Sequence, residues 1–413
     1  MLPPIKWVAS AVYPKRKQMS IKKIFLNPNA SKLRKILQFP CFGRTTEYIC
    51  HQFLLTMKYL SDCRFFRGDL PCKPHKLTGV HCESCQIYEK ISNRVLIIKL
   101  GAMGDVIRTT PLITRLKVWD KGCYITWLTL TPDILPNAHI DEILPFDLKS
   151  ILYLQGVEWD WVINLDKDKE AGVLLHQLHS KKKSGFIYKN NAMHPVDNLA
   201  AHKFYTGLFD DVSKANTKSY PQEIFEICGF EYQQEPYLLD DHRDKGYTWD
   251  FPKDKKIIGL NTGCGDRWTT RLWSEEKWIR LIQLIQEKNW VPLLLGGKQE
   301  HERNASIQKA TGALYPGHFP LPQFINQISQ CDIVVTQVTM AMHLTLGLGK
   351  KIVLMNNIFN PYEFNVTPER GVIIEPDKIC QCFYRGTCVD GLSCMENLPA
   401  EKVFEALTSQ LSV

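Results

Sequence analysis

The chain reads as an α/β protein of two parallel-sheet, Rossmann-like domains facing a cleft, behind a basic, cysteine-rich N-terminal extension. Three observations predict this. Residues 94–117 (RVLIIKLGAMGDVIRTTPLITRLK) run from an apolar strand through a glycine turn into a helix. A second series of buried strands and periodic helices starts near residue 256. At 413 residues the chain has room for two or three domains, each with a sizeable core.

The first unit organises the rest. Residues 95–100 are apolar except for Lys99, which suits a strand buried on both faces of a parallel sheet. Gly101 and Gly104 form the turn, and Val106, Thr109, Thr110, Ile113 and Leu116 recur at helical spacing. A complete G-x-G-x-x-G is missing, which speaks against a dinucleotide-dependent oxidoreductase. Asp105 follows the second glycine instead, at a strand's carboxyl end, where an acid serves better as a base than as a phosphate cradle. Its other reading is a helix-capping acid.

The net charge of +8 is unevenly distributed. Residues 1–60 hold 11 Lys and Arg against one acid, Glu47, and the remainder is close to neutral. The basic extension, with helices expected at 31–37 and 46–60, reads as a solvated arm or as a contact for an anionic membrane or acidic partner. The near-neutral body argues against nucleic acid as partner. The chain shows no run of 18 apolar residues and no clear signal peptide, so the expectation is a cytoplasmic protein, peripheral on the inner membrane at most. Fourteen cysteines then point to a reducing compartment and to metal ligands before disulfides.

In chain order, residues 61–90 form a cysteine-rich segment. Cys63, Cys72, Cys82 and Cys85 are spaced C-x8-C-x9-C-x2-C, with His75 and His81 nearby. Four thiolates so close can surround a structural zinc or iron ion, or remain free buried thiols. Residues 91–235 form the first α/β domain, with strands at 95–100, 123–130, 141–146 and 159–165 and a helix at 171–178. Asp166 and Asp168 end the last strand and are candidates for binding acceptor hydroxyls, or acids favoured at a helix N-terminus. Residues 192–211 are expected as loop leading to helix. Residues 232–255 read as a linker.

Residues 250–378 form the second domain, with strands at 256–260, 290–295, 332–336 and 351–356 and helices at 275–288, 321–331 and 340–348. Its first strand ends in Asn261-Thr-Gly-Cys-Gly, followed by Arg271-Leu-Trp273. A glycine turn with a cation suits a leaving diphosphate. Residues 379–413 form a tail with a second quartet, Cys380, Cys382, Cys388 and Cys394, spaced C-x-C-x5-C-x5-C, and a final helix from Pro399.

The segment Lys99-Leu-Gly-Ala-Met-Gly-Asp105, with Thr109-Thr110-Pro111-Leu112, resembles the opening motif of glycosyltransferase family 9, the ADP-heptose heptosyltransferases. The resemblance extends over about residues 94–400 in three ordered motifs. It implies a GT-B fold and an inverting transfer from a nucleotide-diphospho-sugar, ADP-heptose or similar, to a hydroxyl of a glycan, lipid-linked or protein acceptor. It implies Asp105 as catalytic base and no catalytic metal. It assigns Arg271 to the donor diphosphate, with Thr262 and Gly263 in the donor loop. Glu300, after Gly296-Gly297, falls near the nucleotide ribose or base. Thr339 and His343 are retained from the family's strand-to-helix turn, but Val338 replaces its Asp and Met340 its Gly. Those replacements leave open a nucleotide-binding relative without transferase activity. The C-terminal quartet resembles that of autotransporter heptosyltransferases, whose cysteines hold iron, with tighter spacing here.

Overall fold

A computed structural model describes residues 58–412, apart from 240–245, 379, 390 and 392. The expected extension and its helices lie outside the described residues except for 58–60, which form no helix. The chain divides into two compact units, one holding described residues 58–61 and 67–86, the other 62–66 and 87–412.

Among its described residues the small unit includes a 3-10 turn, Cys82–Ser84, and an α-helix, α1 (Lys73–Thr78). It starts at Cys72, has Pro74 in its first turn, and stops at Gly79 in the left-handed region, whose N–H returns to His75 O at 2.7 Å. Cys72, Cys82 and Cys85 are half-buried here. Cys63 belongs to the large unit, where it bridges to Lys90.

The large unit contains both α/β halves. The first sheet has the order β3-β2-β1-β4-β5-β6. Its strands are β1 (Arg94–Ile98), β2 (Tyr124–Thr129), β3 (Glu142–Pro145), β4 (Trp159–Asn164), β5 (Ser180–Lys189) and β6 (Ala192–Pro195). All pairs are parallel but the β5–β6 hairpin, which turns through Asn190 and Asn191 at φ 50° and 62°. The helices of this half are α2 (Met103–Ile107), α3 (Pro111–Trp119), α4 (Leu148–Gln155), α5 (Lys169–Gln177), α6 (Asn198–Thr206), α7 (Asp210–Ala215) and α8 (Tyr220–Cys228).

The second sheet has the order β11-β10-β9-β7-β8 and is parallel throughout. It comprises β7 (Ile257–Asn261), β8 (Val291–Leu295), β9 (Ile333–Gln337), β10 (Lys351–Met355) and β11 (Gly371–Ile374). Its helices are α9 (Glu275–Glu287), α10 (His301–Thr311), α11 (Leu321–Gln330), α12 (Met340–Gly347) and α13 (Ala400–Ser412).

β1 is buried on both faces as its sequence requires. Val95 and Ile97 enter one apolar cluster, Leu96 and Ile98 another. The strand order reverses between β1 and β4 and between β7 and β9, so the loops after β1, β7 and β9 open at switch points, where α/β sheets place their sites.

Residues 192–195, expected as loop, pair with a strand that the sequence did not suggest. β5 begins Ser-Lys-Lys-Lys, and Lys182 lays its ammonium 3.7 Å from the centre of the Trp161 ring. α10 and β11 were likewise not anticipated. Among the described residues no helix is long and apolar enough to cross a membrane.

Candidate active site

The floor of the site is built where β1 and β4 end. Lys99, buried in the sheet, puts Nζ on the Asp166 carboxylate, and the other Asp166 oxygen accepts from Leu100 N. Burial opposes the Lys99 charge, but Tyr220, Asp166 and Asp105 hold its pKa above the ordinary value. Asp166 is thus engaged beneath the cleft, tying the two strand ends together. Asp168 sits exposed at the N-cap of α5 with no capping bond.

Above this floor lies a cavity of about 410 Å³ between the two halves. Asp105, Arg271, Thr339 and His343, singled out from the sequence, all line it. Asp105 Oδ1 lies 2.7 Å from Arg108 Nη2 on the next turn. Burial would raise the Asp105 carboxyl. The Arg108 and Lys99 charges outweigh it and hold the pKa down to about 2. Asp105 is therefore ionised throughout the physiological range.

His343 packs on Gly104 and is buried. Burial, reinforced by Arg108 and opposed by Asp105, lowers its pKa to about 3, so the ring is neutral. Thr339 caps α12, its Oγ1 accepting from Ala341 N at 3.2 Å, and its hydroxyl lies 3.3 Å from Asn261 Nδ2 at the end of β7. The same Asn261 amide donates to Gly263 O at 3.0 Å, joining the β7 loop to the α12 N-terminus. That N-terminus, the positive end of the helix dipole, opens on the cavity.

Arg271 is buried. Its Nη2 donates to Cys264 O at 2.7 Å and its Nε to Trp268 O at 3.3 Å, while the guanidinium lies 5.4 Å from the Phe359 ring centre. Burial pushes its pKa below the ordinary arginine value, with Cys264 acting against the shift, so an anion in the cavity would relieve a desolvated cation.

The remaining donor candidates lie elsewhere. Thr262 is fully buried, its hydroxyl turned onto Asn304. Gly263 leaves room for Glu300, whose carboxylate would collide with any Cβ there and which accepts from Gly297 N at 2.8 Å. Val338 and Met340 make part of the cavity wall apolar where the resembling family carries Asp and Gly.

Sequence reasoning missed Arg108, Glu363 and Tyr384, which also line the cavity. Arg108 stands three residues after Asp105, the spacing of a helical ion pair, and that signal was readable. Glu363 comes from a short 3-10 turn with no motif, and Tyr384 from inside the C-terminal cysteine quartet, whose spacing draws attention to its cysteines alone.

The C-terminal cysteines approach in pairs. Cys382 Sγ is 3.6 Å from Cys388 Sγ, and Cys380 neighbours Cys394 closely enough for that thiol, with burial, to help push the Cys380 pKa up to about 12. Among the described residues no group of three or more His, Cys, Asp or Glu side chains is arranged to hold a metal ion. The four-ligand arrangement expected from each cysteine spacing is therefore not carried by the described geometry.

Comparison with known proteins gives one family and one fold. The family model described as glycosyltransferase family 9 (heptosyltransferase) matches residues 149–373, a span that begins after the Asp105 turn. No curated protein matches the chain in sequence. Among solved structures, a family 9 glycosyl transferase from Veillonella parvula aligns with TM-score 0.59 at 16% identity, over 78% of this chain and 98% of its own. The ADP-heptose LPS heptosyltransferase II of E. coli gives 0.56 at 14% identity, over 77% and 98%. E. coli heptosyltransferase WaaC with ADP gives 0.51 at 16% identity, over 77% and 98%. These likenesses establish the two-domain GT-B fold.

Proposed function

The chain belongs to glycosyltransferase family 9, and on that footing we propose that it is an inverting sugar transferase with Asp105 as general base. The donor is a nucleotide-diphospho-sugar held by the second half, and the acceptor is a hydroxyl of a glycan, lipid-linked or protein molecule presented by the first. The observation that carries this reading is one cavity in which Asp105 of the first half meets Arg271 and the α12 N-terminus of the second.

The chemistry follows from those positions. The acceptor oxygen attacks the anomeric carbon from the face opposite the nucleotide. A new C–O bond forms, the bond to the diphosphate breaks, and its electron pair leaves with the diphosphate. Arg271 and the N-terminus of α12 stabilise that charge. The acceptor proton passes to Asp105. A carboxylate held near pKa 2 is a weak base, so the transfer comes late, once the attacking oxygen has become acidic by bonding to carbon. Glu300 is assigned to the nucleotide's ribose or base, supported by its position beside the Gly263 and Gly297 loops.

ADP-heptose is the first donor to assay, because heptosyltransferases of this fold carry ADP or an ADP-heptose analogue. The apolar Val338 and Met340 wall favours a second reading, a relative that binds the nucleotide without transferring sugar. Mass spectrometry of nucleotide sugars co-purifying with the protein identifies the donor, and turnover with that donor separates the readings. Asp105→Asn should bind donor normally and lose about 10²–10⁴-fold in turnover. Arg271→Ala should weaken nucleotide binding and slow turnover together. Near wild-type turnover in Asp105→Asn would sink the mechanism.

Two further expectations belong to the same reading. The cysteine clusters hold a structural zinc or iron ion, supported by their thiol chemistry and the close C-terminal pairs. The basic extension touches an anionic membrane surface from the cytoplasmic side, supported by its charge alone.

A further inference from the structure

Arg108 occupies an unusual position. Its guanidinium lies between two carboxylates from opposite halves of the protein, Asp105 at 2.7 Å and Glu363 at 3.8 Å. One face rests on the Tyr220 ring, 3.6 Å from its centre. Its buried Nε has no hydrogen-bond partner among the described residues. The two carboxylates and the ring thus meet on one guanidinium, which links Glu363 of the second half to Asp105 of the first.

Glu363 is itself held. It lies in the 3-10 turn Pro361–Phe364, and the Tyr384 hydroxyl donates to its Oε1. That turn is anchored to the first half, because the buried Asn360 amide donates to Ser213 O and Asn216 O, each at 2.7 Å. Tyr384 comes from the cysteine loop. Its backbone sits at φ 49°, a conformation that costs a non-glycine residue energy and persists only when its surroundings impose it. Those surroundings are the Tyr384 N–H bonded to Ile358 O at 2.9 Å, the ring edge-on to Phe359 at 4.9 Å, and the Cys382–Cys388 contact that closes the loop.

We propose that Tyr384 and Glu363 are positioning residues that transmit the fold of the C-terminal cysteine loop, through Arg108, to the Asp105 carboxylate. This rests on the reading of Asp105 as the base. The cysteine loop then has a catalytic consequence beyond the part of the cavity wall that Tyr384 supplies. Loosening it releases Tyr384, Glu363 shifts, and Arg108 no longer holds the carboxylate aimed at the acceptor hydroxyl. Turnover suffers while donor binding, which depends on Arg271 and α12, does not.

The test is a double-mutant cycle on the full-length protein with the donor identified as above. Tyr384→Phe keeps the ring and removes only the hydroxyl, so it retains the loop's packing. Glu363→Gln should lower kcat about tenfold and Tyr384→Phe about threefold, with donor KM within about twofold of wild type. Because both act along one path, the double variant should be no slower than Glu363→Gln alone. Cys382→Ser should slow the wild type and add nothing in the Glu363→Gln background. Wild-type kcat in Glu363→Gln, or losses that multiply in the double variant, would overturn the relay. Asp105→Asn run alongside separates the two levels. If it is inactive while Glu363→Gln is fully active, the relay fails alone. If Asp105→Asn is active, the base reading fails, and the relay with it.

Discussion

Gly104 stands against His343 so closely that a Cβ on the glycine would lie 2.5 Å from the ring Cδ2 and 3.0 Å from Nε2. Here α2 of the first half meets α12 of the second, beside Asp105. The buried ring occupies the space that such a Cβ would need. Gly104→Ala should therefore force the helices apart, costing about 1–3 kcal/mol of stability. Turnover should fall by more than tenfold, because near-attack geometry tolerates little displacement. A melting curve and a kcat equal to wild type would show that the contact yields freely.

His343 also predicts how stability depends on pH. Its pKa is lowered from 6.5 to about 3, so between those values the unfolded chain binds a proton that the folded protein refuses. Stability must then rise with pH across that window and fall on acidification, by about 1.4 kcal/mol per pH unit for this one group. Asp105, lowered from 3.8 to about 2, acts in the same direction in a lower window. Urea unfolding at pH 7, 6, 5 and 4 should show the slope, and His343→Gln should flatten it. Parallel profiles for the two proteins would rule out a neutral buried histidine.

Asp166 offers a choice between two roles for one carboxylate. The sequence suggested an acceptor contact, and the structure places its carboxylate on Lys99 and Leu100 N. Asp166→Asn leaves Lys99 charged and buried without its partner, which costs about 3–5 kcal/mol in such sites. Lys99→Met with Asp166→Leu should recover much of that loss. If Asp166→Asn instead keeps full stability and raises only the acceptor KM, the acceptor role stands.

The parts of the site legible in the sequence were those fixed by local backbone geometry. A strand buried on both faces followed by Gly101, Gly104 and Asp105 needs no long-range information, because strand, turn and helix start are each written in consecutive residues. Arg271 and Thr339 were singled out by the resemblance to family 9, on loops that follow strands readable in the same way. Glu363 and Tyr384 were not, since what brings them to Arg108 is the docking of irregular segments, held by Asn360 and the cysteine loop, and neither has a period. β5 was hidden by chemistry. Its lysines look like loop, yet period-2 geometry lets Lys182 cover Trp161 while Phe186 is buried. Thr262 shows the converse limit, because sequence located its loop correctly but could not tell that its hydroxyl turns inward to Asn304.

The cysteines give the last prediction. Cys382 and Cys388 stand 3.6 Å apart, and Cys380 lies beside Cys394, with burial helping to hold the Cys380 thiol protonated. Two close thiol pairs on one short loop can close disulfides or take up a soft cation, which would deprotonate them. In a reducing compartment the cation is the expected outcome. Protein purified anaerobically should therefore carry zinc or iron, and Cys382→Ser should lower the content by about one ion per chain if this quartet is the site. Cys82→Ser asks the same of the N-terminal cluster, where loss of the ion should expose residues 61–90 to proteolysis and leave the two sheets folded. Absence of both metals from the anaerobic protein would remove any structural ion from the account.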